Sequence, residues 1–431
     1  MMDANKVEII SKEMIKPSLP TPPPLRIHKL SLLDQISPPV FIPLIFFYQN
    51  DQLLFHDKLE SLKQSLSHAL IRFYPLAGRL NNNKYSIDCN DAGVQFIVAQ
   101  VHGYNLSEFI QTPKMEQLRE FLPSVHENDD DDVLLAVQVN LFECDEGIAI
   151  GVCMSHKVGD GSSIVTFINS WAAIARGHGG DEDIVQPNFN LASTLFPPID
   201  LSNSSFKPSI GMVKKEKIFT TRRFVFDKKK LDALKKSASS RSLVKNPTRV
   251  EALSAFLWKE ALKLNKDCNK KLSAAVHAVN IRSRMNNPNI SDYFFGNLWT
   301  AALAFSEIGG SSSNTDDDLV YKLRNAIRKI DSDYVKMLQN GQDFIKHVGK
   351  LVELFSKGEV EFFNFTSWCR FPVYAVDFGW GKPVWVCTTT FPYENMIIFL
   401  TTKCGEGIEA WVNMLEDDDD FIGKSLSIIV K

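Results

Sequence analysis

The feature that most limits the fold is an interruption. From Arg176 to Lys217 the chain changes character: Gly177, Gly179 and Gly180 come first, then prolines at 187, 197, 198 and 208 and the patch Ser202-Asn-Ser-Ser205. An irregular stretch of this length is uncommon inside one compact domain and marks a boundary. At 431 residues the chain is long enough to bury a core on each side of it. We therefore expect a domain over 1–180, a crossover over 181–217 and a second domain over 218–431. Helical and strand patterns mix on both sides without strict β-α alternation, so a single doubly wound sheet is not favoured and the expected class is mixed α/β.

Local patterns fill in the first part. Asp57 to Phe73 places Leu59, Leu62, Leu66, Leu70 and Phe73 at helical spacing. Tyr85–Asp88 and Val94–Val98 read as strands, and Ser18–Leu25 as a stiff proline-rich lead-in. Val40 to Tyr48 is apolar but too short for a membrane span and contains Pro43. Val133–Cys144 and Ile148–Met154 form a hairpin through Asp145-Glu-Gly147. Glu127-Asn-Asp-Asp-Asp-Asp132 is a solvated loop, since adjacent acids lack ligand spacing.

In the second part, Ile218–Phe226 is a strand, Asp227–Ser237 and Thr248–Leu264 are helices, and Ala274–Ile281 is an apolar strand leading to Arg282 and Arg284. Ser311–Asp318 is a polar loop and Leu319–Met337 one helix. Met396–Lys403 and Ile408–Met414 form a hairpin, followed by the acidic run Glu416–Asp420 and a closing helix.

Charge excludes some partners. The balance is 48 basic against 51 acidic residues, a net −3, so nothing points to nucleic acid or an anionic membrane. Lys214-Lys215, Lys228-Lys-Lys230 and Lys270-Lys271 are small clusters that suit a solvated face or the phosphates of a nucleotide-like cofactor. The seven cysteines include no C-x-x-C pair, and we read them as reduced thiols. The first twenty residues lack the apolar core of a signal peptide, and Ser427–Lys431 is no peroxisomal or lipidation signal. The expected location is cytoplasmic, with no bound metal.

Two short segments carry chemistry. Gly147-Ile-Ala-Ile-Gly-Val-Cys-Met154 is a buried strand that delivers His156 to a turn of small residues. Asp160 or Ser162 then caps an amphipathic helix running to Ala175. A histidine fixed between strand and helix can take a proton from an alcohol near neutral pH. Alone, H-x-x-x-D also describes a core histidine beside a capping acid. More than two hundred residues later stands Val376-Asp-Phe-Gly-Trp-Gly-Lys-Pro383, which by itself reads as a turn whose tryptophan fills a hole.

Together, in this order and at this spacing, the two motifs resemble those of the plant BAHD acyltransferases. Leu33-Asp-Gln35, Phe73–Arg79, Asp88–Gly93, Asn280–Met285, Gly296-Asn297, Phe365–Arg370 and Cys387–Pro392 extend the likeness nearly end to end, toward the branch that acetylates alkaloids and terpenoids. The resemblance implies two chloramphenicol-acetyltransferase-like domains, a long crossover loop, a solvent channel between the domains and strand exchange near 370–395. It implies a monomer that uses acyl-CoA, above all acetyl-CoA, as co-substrate and a small-molecule alcohol as acceptor. Aromatic acyl donors, amine acceptors and a catalytically silent binding protein are the alternatives. Thioester chemistry needs a base and an oxyanion donor, with no permanently bound cofactor. His156 is the expected base and Trp380 the expected donor, through its indole N–H. The resemblance implies structural support from Asp160, paired with Arg282 or Arg284, and from Asp377, Gly379 and Gly381. Asn297 and Ser254 are the implied coenzyme contacts.

Overall fold

A computed structural model describes residues 7–49, 54–81, 85–125, 133–143, 147–177, 184–201, 219–264, 270–285, 294–308 and 315–415. The acidic run 127–132, the run 416–420 and the closing helix lie outside the described residues. So does most of the second half of the crossover.

The first elements in chain order are β1 (Val7–Ile15), β2 (Ile27–Lys29), α1 (Leu32–Ile36), β3 (Phe41–Gln49), α2 (Phe55–Arg72), β4 (Arg79–Leu80), β5 (Ser86–Asp88), β6 (Val94–Val101), α3 (Leu106–Gln111), β7 (Leu135–Phe142), β8 (Gly147–Ser155), α4 (Gly161–Ala175) and α5 (Asn190–Leu195). After the crossover come β9 (Phe219–Phe226), α6 (Lys228–Arg241), α7 (Arg249–Leu264), β10 (Leu272–Asn280), β11 (Trp299–Glu307), α8 (Thr315–Arg328), α9 (Ser332–Gln339), α10 (Gly341–Ser356), β12 (Val360–Ser367), β13 (Trp385–Cys387), β14 (Met396–Thr401) and β15 (Ile408–Leu415).

The chain divides into two compact units. Unit 1 takes the described residues within Met1–Asp200, Pro288–Leu298 and Phe371–Thr389; unit 2 takes those within Leu201–Asn287, Trp299–Arg370 and Thr390–Lys431. Two pieces of the second half thus complete the first unit.

Unit 1 is built on a sheet in the order β1-β6-β7-β8-β3-β13. Every residue of β7 and β8 is buried, which is why both read as continuous apolar runs rather than alternating ones. They pair antiparallel, Leu135 opposite Met154. The segment around Val40–Tyr48 is no membrane element: β3 pairs with β8 from Phe41 opposite Ser155 to Gln49 opposite Gly147. Its proline is tolerated because β13 covers only Ile45–Phe47 on the other edge, leaving Pro43 past the end of that ladder. Among the described residues no helix is long and apolar enough to cross a membrane.

Helices α2 and α4 pack together in unit 1. Helix α2 buries Leu62, Leu66, Ala69 and Leu70, and α4 buries Ile164, Phe167, Ile168 and Trp171. The Trp171 indole N–H lies 3.0 Å from Ser65 Oγ and 3.2 Å from the Leu62 carbonyl on α2, so the largest side chain of α4 also fixes its rotation against its neighbour.

Unit 2 holds the order β11-β10-β12-β14-β15-β9. Its central strands β10, β12 and β14 run parallel and the flanking pairs antiparallel. Bidentate pairs brace it: Arg324 to Glu251 at 2.8 and 2.6 Å, and Arg223 to Glu409 at 2.7 and 2.6 Å. The expected single helix over 319–337 is two. Asp331 caps α9, its Oδ1 accepting from the Asp333 and Tyr334 amides, so the chain stops and restarts where an acid competes for backbone donors. The expected loop before it is shorter than read, because α8 already begins at Thr315.

Candidate active site

The first unit brings three separate segments onto one turn. At the end of β8, the Ser155 amide donates to the Leu134 carbonyl (2.9 Å) and the His156 amide to the Val40 carbonyl (2.8 Å), so the histidine backbone is held by strands on both sides. The chain then turns through Lys157-Val-Gly159. Gly159 is required there, since a Cβ would stand 2.7 Å from that of Ser163. Lys157 is buried, and its ammonium donates to the carbonyls of Gln35 (2.9 Å) and Ser37 (2.5 Å).

Asp160 is the N-cap of α4, with extended backbone and Oδ1 accepting from the Ser163 amide at 3.0 Å. Its other oxygen accepts from the Leu298 amide at 3.0 Å. The carboxylate therefore holds both the helix start and the 294–298 segment. Ser163 strengthens the same joint: its Oγ accepts from the Gly296 amide (3.1 Å) and lies 3.0 Å from the Gly296 carbonyl.

Asn297 is fully buried within this joint. Its Nδ2 donates to Asp34 Oδ1 (2.9 Å) and to the His156 carbonyl (2.7 Å), while its amide N–H reaches the same Asp34 oxygen (2.8 Å). Asp34 Oδ2 accepts from the Ser31 amide (2.9 Å) and hydroxyl (2.7 Å), closing a capping box on α1.

Electrostatics set the histidine for base chemistry. Burial pushes the His156 imidazole below its ordinary range; its own backbone carbonyl, the Asp160 charge and the Asn297 carboxamide pull it back up, and Lys157 opposes them. A ring kept neutral near neutral pH has a nitrogen ready to accept a proton.

The D-F-G-W-G loop lies elsewhere. Arg176, just past the end of α4, gives Nη1 to the Asp377 carbonyl, and Phe378 packs edge-on against Trp171 with centroids 4.8 Å apart. Tyr48, near the far end of β3, donates to the Val376 carbonyl (3.2 Å) and sets its ring 6.3 Å from that of Trp380. Helix α4 is 15 residues long and opens at Asp160. With about 1.5 Å of rise per residue, that separates the two motifs by on the order of 20 Å. Strand β3 gives the same answer, because the Val40 carbonyl holds His156 and Tyr48 holds the loop, about 26 Å of strand apart. Trp380 therefore cannot be the oxyanion donor expected for it. Its buried indole N–H has no hydrogen-bond partner among the described residues, and its ring stacks on Phe378 (5.5 Å) with the Lys58 ammonium 5.7 Å from its centroid.

Asp377 braces the loop from within. Its Oδ1 accepts from the amides of Gly379 (2.8 Å) and Gly381 (3.0 Å). Both glycines have left-handed backbone, φ 108° and 99°, which allows one carboxylate oxygen to gather two amides so close in sequence.

The expected coenzyme contacts also differ. Asn297 and Ser254 are both wholly shielded from solvent, so neither side chain presents itself to a coenzyme in this structure. Ser254 lies on α7 in unit 2, its hydroxyl buried and without a hydrogen-bond partner among the described residues. Arg284 donates Nη1 to the carbonyls of Ile327 and Ile330 in its own unit. Arg282 is buried, its amide donating to Asn280 Oδ1 at 3.0 Å. The described residues contain no cluster of His, Cys, Asp and Glu suited to a metal ion.

Asp34, Ser163 and Lys157 also belong to the site, and the sequence alone assigns none of them to it. One signal was present: Ser31-Leu-Leu-Asp34 has the spacing of a capping box in a stretch otherwise apolar.

A family model described as the Transferase family matches residues 5–425. Stemmadenine O-acetyltransferase of Catharanthus roseus is 44% identical over 429 residues, covering 96% of each chain. Vinorine synthase of Rauvolfia serpentina is 42% identical over 428 residues, again 96% of each. The crystal structure of vinorine synthase superposes with a TM-score of 0.85 at 40% identity, over 99% of this chain and 98% of that one.

Proposed function

Because the chain belongs to the Transferase family of BAHD type and is an acyltransferase, we propose that it moves an acetyl group from acetyl-CoA to a hydroxyl of a plant specialised metabolite, an alkaloid before a terpenoid. The observation that carries the proposal is the His156 turn: a neutral imidazole beside an acid that caps a helix, with the histidine's amide and carbonyl both hydrogen-bonded. Near-complete overlap with stemmadenine O-acetyltransferase and vinorine synthase supports the acceptor class.

The reaction needs little from the protein. The His156 imidazole accepts the acceptor's hydroxyl proton as the oxygen attacks the thioester carbonyl, and a tetrahedral oxyanion forms. Its collapse breaks the carbon–sulfur bond and releases the coenzyme thiolate, which takes the proton from His156. The ester and free CoA leave, and the imidazole is neutral again. Asp160 holds the turn rather than relaying a proton, since its oxygens already serve the α4 cap and the Leu298 amide.

Acetyl-, benzoyl- and coumaroyl-CoA incubated with the protein and a plant metabolite extract, followed by mass spectrometry, test this directly. An acetylated product that disappears with His156→Ala is the expected result. A benzoylated or coumaroylated product alone would replace the donor. No product, together with no thermal shift at millimolar CoA, would favour a silent binding protein.

A further inference from the structure

We propose that Asp34 is a positioning residue for His156, acting through the Asn297 carboxamide; the inference rests on the acyl transfer proposed above. Three segments distant in sequence meet in one short chain of hydrogen bonds: Ser31–Asp34, Asn297 and His156. Asp34 is 2% exposed and Asn297 wholly buried, so water replaces none of these bonds.

The chemistry of the donors fixes the order. Three N–H groups with set directions converge on the Asp34 oxygens: the Ser31 amide, the Asn297 amide and Asn297 Nδ2. A carboxylate accepts at both ends, whereas a carboxamide would turn an NH2 toward donors on one side. Asp34 thereby decides which end of the Asn297 side chain is the donor. Only that orientation gives the second amide proton to the His156 carbonyl, at 2.7 Å.

The His156 carbonyl is the sensitive atom. It is among the groups acting on the histidine's own ring, as is the Asn297 carboxamide. Holding the carbonyl, together with the amide bonded to Val40, fixes the peptide from which the ring projects, and with it the surroundings that select the ring's tautomer. Helix α1 serves the same end. Five residues are too few for a stable helix in water, and its capping box presents Asp34 inward, where Oδ1 reaches beyond the helix to Asn297.

The test uses Asp34→Asn and the exchanged double variant Asp34→Asn/Asn297→Asp. The exchange keeps one carboxylate and one carboxamide in the buried pair but leaves no side-chain donor for the His156 carbonyl. Turnover, KM for acetyl-CoA, melting temperature and the tautomer of a 15N-labelled His156 ring are read for each. For Asp34→Asn we expect kcat to fall about 10- to 100-fold, the scale of a small misplacement, with KM for acetyl-CoA within about twofold. The ring should pass from one tautomer to a mixture. The double variant keeps the buried charge but sets two acceptors together at the His156 carbonyl, so at most part of the melting temperature should return and none of kcat; it decides the matter if the single variant does not fold. Unchanged kcat or an unchanged tautomer in folded Asp34→Asn, or recovery of kcat with stability in the exchange, would overturn the role. If the wild-type chain transfers no acyl group, the proposed function fails, while the tautomer still decides Asp34.

Discussion

The two ends of helix α4 carry the two motifs of this chain and treat polar groups in opposite ways. At its start, Asp160, Ser163, Asn297 and Asp34 link the helix, the 294–298 segment and α1 to the turn that bears His156. At its end, Trp171, Phe378, Trp380 and Tyr48 interlock as rings, and the Trp380 indole N–H has no partner among the described residues. The first arrangement aims a reactive group; the second fastens the 371–389 segment into unit 1. A short motif rich in glycine and tryptophan thus marks a packing joint as readily as a catalytic one.

The sharpest way to break this contrast is His156→Ala. A positioned base contributes about 10²–10⁴-fold, so turnover should fall by that much while circular dichroism and melting temperature stay close to wild type. Near-normal turnover in the folded variant would remove the catalytic end altogether. Next in size is Trp380→Ala, which leaves a hole among aromatic rings and should cost about 3–5 kcal/mol of stability, read by denaturant titration. A normal melt with lost turnover would mean that the loop acts on the chemistry after all.

Asp160→Ala should lower stability by about 2–4 kcal/mol, the sum of a lost helix cap and an unmet buried amide at Leu298. Turnover should fall with it, because the same residue shapes the turn; a fully stable but inactive variant would instead make Asp160 part of the proton path. Trp380→Phe should be the mildest substitution. It deletes only an N–H that has no partner among the described residues, so single-turnover rates within about threefold of wild type are expected, against the roughly 10²–10³ that loss of an oxyanion donor costs.

The pH profile refines the catalytic end further. The base must be deprotonated, and burial holds the His156 imidazole low, so kcat/KM should stay level as pH falls through about 6.5 and decline only below that. The charge of Asp160 pulls the imidazole upward, so Asp160→Asn should move the acid limb to still lower pH. A limb that moved up would show that the variant had opened the ring to water.

What the sequence revealed follows the reach of its forces. The hairpin of β7 and β8, α4 and the Asp160 cap were legible because apolar run, turn and cap are local signals. Strand β1 was not, since charged residues interrupt its exposed edge, Val7-Glu-Ile-Ile-Ser-Lys-Glu-Met-Ile15. Strand β3 was obscured by Pro43, whose tolerance depends on how far β13 extends on the neighbouring edge. Within the site, His156 and Asp160 stand four positions apart and could be read together. The bond from Asp34 to Asn297 spans 263 positions, and only the fold joins its ends. Trp380 failed for the same reason, since similarity of motif carries no distance.

The late arrival of β13 bears on how this protein is made. Unit 1 closes only when residues 371–389 return to it, and the edge of β3 at Ile45–Phe47 waits for Trp385–Cys387. At about 5–20 residues per second, a ribosome that has finished residue 200 needs on the order of 10–40 s more to supply them. For that time the nascent chain carries an apolar strand with one side unpaired, a surface that invites chaperones or another nascent chain. A gene cut after the first half should yield insoluble material, however sound its predicted domain boundary.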